Sequence, residues 1–234
     1  MLVRAEISRI RRETPSVKSF LLDLGGREFS FRPGQWVDFY LDLEGVRGVA
    51  GYTITSSPTT RDSIELTVRA AGENPVTSFL HEHAEVGETV YVDGGQGDFY
   101  YSEEMGGPLV LLAGGIGITP LVSILRYVHE GAIDTDATLV YSVRTPSEIV
   151  FRRELEEIDA TNEDIRCVFT VTRPGQESWD GPTGRISAGL LREIPVNLDS
   201  LFYVCGPPPM GQDMTLVLKC MGARSDRIRY EQWW

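Results

Sequence analysis

Short apolar runs alternate with turn residues over about the first hundred positions. The pattern predicts strands at Leu2–Ile10, Val17–Leu24, Trp36–Leu43, Gly51–Thr55, Ser63–Val68 and Thr89–Gly94, with Gly and Pro between them. Short strands at this spacing predict a small antiparallel barrel. A helical run, Pro75–His83, interrupts it, with Asn74 placed to cap its first turn. Past Ser102–Pro108 the rhythm changes. Strands predicted at Leu109–Ala113, Ala137–Ser142, Arg166–Thr172, Leu201–Cys205 and Ile228–Trp234 alternate with helices at Thr119–Glu130, around Glu148–Ile158, near Ser187–Glu193 and near Met210–Met221. Strand–helix alternation predicts a parallel sheet covered on both faces. The fold class is therefore β + α/β: an N-terminal antiparallel barrel, residues 1–103, then a Rossmann-like parallel-sheet domain, residues 104–234. There is no internal repeat.

Composition narrows the function. The 34 acidic and 22 basic side chains give a formal net charge of −12, a surface that repels nucleic acid. It is read first as a solvated, soluble surface, with steering of a basic partner or growth at high salt as the alternatives. The most apolar stretch, Leu109–Ile118, is too short to span a bilayer and contains Gly114, Gly115 and Gly117. Met1–Gly25 carries charges throughout, unlike a secretory leader. A soluble, cytoplasmic protein is expected. Cys167, Cys205 and Cys220 lie far apart, which fits neither a disulfide framework, nor a zinc site, nor an iron–sulfur cluster. His81, His83 and His129 form no ligand set, so no metal is expected.

Two segments carry chemistry. In Leu109-Val-Leu-Leu-Ala-Gly-Gly-Ile-Gly-Ile-Thr-Pro120 an apolar strand runs into glycines, and a helix follows with Pro120 at its first position. Glycines allow close backbone approach to a pyrophosphate, and a helix N-terminus offers free N–H groups and a positive dipole end. A tight turn that binds nothing has the same local sequence. In Tyr203-Val-Cys-Gly-Pro-Pro-Pro-Met210 a second apolar strand ends at Gly206, which permits close approach by a planar ring, and at prolines that fix the chain. Ligands of open parallel sheets collect beyond the carboxyl ends of the strands, so both segments point to one crevice. Taken alone, Cys205 is a small apolar filler.

In this order and after a barrel, the two segments resemble the ferredoxin–NADP reductase superfamily, and the resemblance covers nearly the whole chain. It implies a barrel that binds flavin and a second domain that binds a nicotinamide nucleotide. Gly114, Gly115, Gly117, Thr119 and Pro120 match the pyrophosphate turn. Cys205, Gly206 and Pro207 match the segment beside the nicotinamide, some ninety residues further on. Gly51-Tyr-Thr-Ile-Thr-Ser-Ser-Pro58 is similar to the flavin motif Arg-x-Tyr-Ser/Thr. Tyr52 is implied to stack on the isoalloxazine, Thr53 to hydrogen-bond flavin N5, and Ser56 to lie nearby. Ala50 stands where the family has an arginine for a flavin phosphate, with Arg47, Arg61 and Arg69 as substitutes. The family's Gly-x-x-Ser/Thr turn reads Asn74-Pro-Val-Thr77, and Gly94-Gly-Gln-Gly-Asp-Phe99 resembles the turn ending the barrel. At the C-terminus Trp233 or Trp234 matches the aromatic that covers the flavin, and Glu231 the acid beside the nicotinamide. Packing against the barrel is the other reading of the tryptophans. The layout is similar to that of oxidoreductase NAD-binding domain-containing proteins.

The implied activity is hydride transfer from NAD(P)H to FAD, or to FMN, with Thr53, Cys205 and Glu231 at the reacting atoms. Electrons then pass to a separate acceptor such as a ferredoxin-type or oxygenase partner. Arg144, Arg173 and Arg185 follow the second and third strands of the second domain and suit the 2′-phosphate of NADPH, although NADH-using relatives carry some of them. The alternative is a nicotinamide-binding regulatory or electron-transfer subunit with weakened or lost flavin binding, motivated by Ala50 and Asn74.

Overall fold

The structure, a computed structural model, describes residues 2–43, 46–70, 74–194 and 196–231. The N-terminal half contains β1 (Val3–Thr14), β2 (Val17–Asp23), β3 (Trp36–Leu43), β4 (Val46–Thr53), β5 (Ser63–Arg69) and β6 (Thr89–Gln96), with α1 (Pro75–Glu82) between the last two. All pairings are antiparallel, in the order β4-β3-β6-β1-β2-β5. The two outer strands meet through a bridge between Ile54 and Leu66 and a 2.7 Å bond from the Thr55 N–H to the Glu65 carbonyl. That seam closes the sheet into the expected barrel. Alternation explains its interior: along β1, Val3, Ala5 and Ile7 point inward while their neighbours face solvent.

The second half contains β7 (Leu109–Gly114), α2 (Ile118–Glu130), β8 (Ala137–Val143), α3 (Arg152–Thr161), β9 (Ile165–Val171), α4 (Ala188–Glu193), β10 (Leu201–Cys205), α5 (Pro208–Met221) and β11 (Ile228–Glu231). Its five strands are parallel in the order β11-β10-β7-β8-β9. β7 and β10 are buried along their whole length, because helices cover both faces. Leu109, Leu111 and Ala113 pack under α2, while Val110 and Leu112 face α4 and α5. β7 has β8 on one side and β10 on the other, so the chain reverses direction across the sheet between β7 and β10. Ligand crevices open at that point in such folds.

Several element bounds differ from expectation, β1 for instance running on to Thr14 and not ending at Ile10, and three of the differences have identifiable reasons. β4 begins at Val46, not Gly51, since its glycine-rich start is held by pairing with β3, not by its own pattern. The helix expected around Glu148 begins at Arg152, because Phe151 adopts a left-handed conformation (φ 58°, ψ 23°) after a short 3-10 turn at Pro146–Glu148. α2 starts at Ile118, so Pro120 is its third residue, not its first; its missing N–H is still among those with no intrahelical partner. Among the described residues no helix is long and apolar enough to cross a membrane.

Candidate cofactor cleft

The two motifs meet where β7 and β10 end. A methyl group on Gly117 would lie 2.3 Å from the Cys205 carbonyl oxygen, and one on Gly206 would lie 3.1 Å from the Gly114 Cα. Gly114 has the same tightness, with Met210 Sδ at 2.5 Å from its would-be Cβ. These three glycines let one turn seat on the other. Gly115 differs: its φ is +55°, and a Cβ there would meet only the Arg69 guanidinium, at 3.9 Å. It is the glycine that presents open backbone. α5 starts at Pro208 after Pro207 and so lacks the N–H donors of its first two residues, which makes the glycine turn before α2 the candidate anion seat.

A cleft of about 500 Å³ opens beside this turn, between the β1–β2 hairpin of the barrel and the ends of β7, β8 and β9. Gly114, Gly115 and Pro207 line it together with Arg144, Arg173 and Arg185. The Arg173 N–H donates to the Arg144 carbonyl at 2.8 Å, tying the ends of β8 and β9. Arg185 follows Gly184, whose carbonyl accepts from Thr170 Oγ1 at 2.8 Å. The expected guanidinium cluster is thus brought together. Arg69, at the end of β5, lines the same cleft. The sequence offered it as a flavin-phosphate partner; the docking of the lobes places its guanidinium near Gly115, and no local signal foretells that. Glu148 lines the cleft too, its carboxylate accepting the Arg144 N–H at 3.2 Å.

At the junction of the two lobes, strand register sets Thr53 beside Trp36 and Cys205 beside Glu231. Thr53 lies opposite Trp36, whose indole nitrogen is 2.8 Å from where a Cβ on Gly97 would stand. That Cβ would in turn be 4.0 Å from the Glu231 carboxylate, and Glu231 pairs with Cys205 across β10 and β11. Trp36 escaped the sequence reading because it looks like an ordinary strand residue. Cys205 is buried, and burial together with the Glu231 charge holds its thiol well above the usual range; it stays neutral. The half-buried Tyr52 shares a 2.8 Å hydrogen bond with Thr77 Oγ1 and packs edge-on against Phe39. Burial raises its phenol pKa.

Other candidates are engaged elsewhere. The Thr119 hydroxyl donates to the Ile116 carbonyl at 3.0 Å, and Pro120 is buried in α2. The Ser56 hydroxyl accepts the Glu65 N–H at 3.0 Å, and its carbonyl accepts from Ser123 Oγ at 2.9 Å. Both serve the turn and the lobe interface. Trp233 and Trp234 lie outside the described residues.

The groups that the fold implies can be tested against this geometry. Dinucleotide phosphates fit the open Gly115 turn and its guanidinium rim. On the barrel side, Tyr52 would offer an isoalloxazine a ring and Thr53 a hydroxyl. The seat for a flavin phosphate is altered: Asn74 Oδ1 already accepts the Val76 and Thr77 N–H groups at 2.9 and 3.3 Å, Pro75 has none, and Ala50 packs on the barrel core opposite Phe39.

A closed barrel is joined here at a switch-point crevice to a parallel-sheet domain, the architecture expected of a flavin- and nicotinamide-dependent reductase. Residues 4–101 match the oxidoreductase FAD-binding domain, and residues 111–215 match the oxidoreductase NAD-binding domain. Oxidoreductase NAD-binding domain-containing protein 1 of Danio rerio is 36% identical over 255 aligned positions, covering 100% of this chain and 92% of that protein. The glycine betaine monooxygenase reductase subunit of Chromohalobacter salexigens is 35% identical over 83% of the chain, which spans 54% of that relative's length. In fold, the chain is similar to the FAD/NAD-binding domain of nitric oxide dioxygenase from Vibrio cholerae (TM-score 0.88, 24% identity, 99% and 98% coverage). It is likewise similar to a ferredoxin NADP+ reductase from Neisseria gonorrhoeae with bound FAD and NADP (TM-score 0.80, 24% identity, 100% and 99% coverage). The chain belongs to the oxidoreductase NAD-binding domain-containing proteins and is an FAD- and NAD(P)-binding oxidoreductase with a ferredoxin–NADP reductase-like fold.

Proposed function

We propose that this reductase oxidises NADPH in preference to NADH and delivers the electrons to a separate protein acceptor, of the ferredoxin or oxygenase type. What supports the reading is the cleft rimmed by Arg144, Arg173 and Arg185 beside the Gly115 turn, with Cys205 and Glu231 paired at the adjoining strand ends and Trp36, opposite Thr53, linked to Glu231 through Gly97. A bound flavin would supply the hydride-accepting and electron-relaying chemistry. In this assignment Thr53 offers its hydroxyl to flavin N5 and Tyr52 supports the ring. The neutral Cys205 thiol fills the space beside the nicotinamide without competing as a nucleophile, and Glu231 orients the ring edge. Gly115 admits the pyrophosphate, and the arginines take the 2′-phosphate as charge-assisted pairs. The crevice between the lobes would hold the two rings in line. The oxygenase assignment is supported by the printed name of the Chromohalobacter relative, a monooxygenase reductase subunit. The test is anaerobic rapid mixing of flavin-loaded protein with NADPH or NADH: bleaching of the flavin absorbance, faster with NADPH, is expected, and no bleaching by either overturns the reading.

A second reading rests on the Asn74 cap. Because the chain's own carboxamide occupies two N–H groups of the phosphate seat, the barrel holds flavin mainly by its ring and exchanges it readily. Dialysis followed by titration with riboflavin, FMN and FAD tests this. Near-equal affinities are expected, and a much tighter grip on FAD overturns it.

A further inference from the structure

Outside the cleft, the densest buried charge cluster lies where the lobes meet. Arg126, two turns into α2, is 8% exposed and Glu65 of β5 is 7% exposed. Arg126 Nη1 donates to Glu65 Oε1 at 2.7 Å and to the Thr55 carbonyl at 2.8 Å, both in the barrel. Its Nε and Nη2 donate to the two Glu154 oxygens of α3 at 2.6 and 2.8 Å. Its guanidinium carbon stands 4.6 Å from the centre of the Phe151 ring, and Arg11 of β1 approaches the same ring at 6.0 Å and Glu65 Oε2 at 3.5 Å. Phe151 reaches this position through its left-handed backbone, a conformation that costs a non-glycine residue energy and persists only where surroundings impose it. That same residue starts α3 and so places Glu154.

We propose that Arg126 is a positioning residue for hydride transfer: clamped between Glu65 and Glu154, it fixes the register of the flavin-bearing lobe against the nicotinamide-bearing lobe. The inference rests on the reductase reading above. Thr55, which Arg126 grips, comes two residues after Thr53 on the same extended segment. The helix that carries Arg126 begins at the glycine turn, about 12 Å away at 1.5 Å per residue. One rigid element thus links the nucleotide seat to the strand that holds the flavin. Buried ion pairs give little net stability, because desolvation offsets their attraction. Multiply hydrogen-bonded charges do fix direction, since every shifted arrangement leaves a charge unmatched. Reactant rings gain most of their rate from alignment, and a misplacement of about 1 Å lowers the rate on the order of a hundredfold.

The experiment compares wild type with Arg126→Lys and Glu65→Gln, each loaded with flavin. Three quantities are read: flavin affinity, the saturating rate of anaerobic flavin bleaching by NADPH, and the nucleotide concentration giving half that rate. The saturating rate is expected to fall at least about tenfold in both variants, while flavin affinity and the half-saturating concentration stay within about twofold. The long-wavelength absorbance of the stacked rings should weaken in parallel. Wild-type bleaching rates in both variants overturn the inference, and so does loss of flavin from both, which makes the cluster merely structural. No bleaching in the wild type itself overturns the underlying reading instead.

Discussion

Gly117 stands so close to Cys205 that a single methyl group would sit 2.3 Å from the Cys205 carbonyl oxygen, whereas neighbouring Gly115 has only the Arg69 guanidinium tip nearby, at 3.9 Å. Gly117→Ala should therefore act through folding, forcing backbone apart at the centre of the sheet. A loss of about 3 kcal/mol is expected, read as a melting temperature lower by roughly 6–12 °C for a chain of this size. Gly115→Ala should cost only about 1–2 kcal/mol, from its left-handed conformation, yet raise the half-saturating concentration of nicotinamide nucleotide. Calorimetry and kinetics on the pair separate the two roles.

The arginines of the cleft give a charge-based prediction. Replacing Arg144, Arg173 or Arg185 with Ala should weaken NADPH by about 1.5–3 kcal/mol for whichever residue meets the 2′-phosphate, roughly ten- to a hundredfold, and leave NADH almost unchanged. Added salt should weaken NADPH more than NADH in the wild type. If all three variants lose both nucleotides equally, the cluster serves the pyrophosphate instead.

Asn74 supplies a gain-of-function test. Asn74→Gly should destabilise the protein by only a few tenths of a kcal/mol, since glycine is a tolerated cap. The freed N–H groups then favour an anion by about 0.3–1 kcal/mol, roughly a two- to fivefold tightening for FMN with riboflavin unchanged. Fluorescence quenching on titration measures both.

The thiols should differ sharply in reactivity. Cys220 is exposed. Burial and the Asp159 charge push the Cys167 thiol up to about 12, and burial and Glu231 raise that of Cys205 well above the usual range. Because the raised values keep both thiols protonated at pH 8, and the thiolate is the reactive form, iodoacetamide should modify Cys220 alone in the native protein. Rapid modification of Cys205 would contradict its assignment as a neutral spacer.

Periodicity revealed the architecture well where one force dominates. β3 and β10 have the bounds their apolar runs imply, and the Asn74 cap follows from local hydrogen-bond chemistry. It failed where tertiary pairing or a special backbone decides, as in the glycine-rich start of β4 and the left-handed Phe151 that delays α3. The site was legible as a set of motifs, but not as a division of labour. Nothing local distinguishes Gly115, whose backbone is open to the cleft, from Gly114 and Gly117, whose missing side chains let one turn seat upon another. The inward use of the Thr119 and Ser56 hydroxyls, and the arrival of Arg69 and Trp36, depend on how the lobes dock.

The barrel's closing seam has a consequence for engineering. Ile54 and Leu66 join the sheet's two edges, and the next residues, Thr55 and Ser56, are those held by Arg126 and Ser123 of the other lobe. Ring closure and inter-lobe docking thus share one short stretch of backbone. Chimaeras that swap a barrel from one reductase onto the nucleotide lobe of another should succeed only when residues 54–66 and the matching face of α2 travel together, so the unit of exchange crosses the apparent domain boundary.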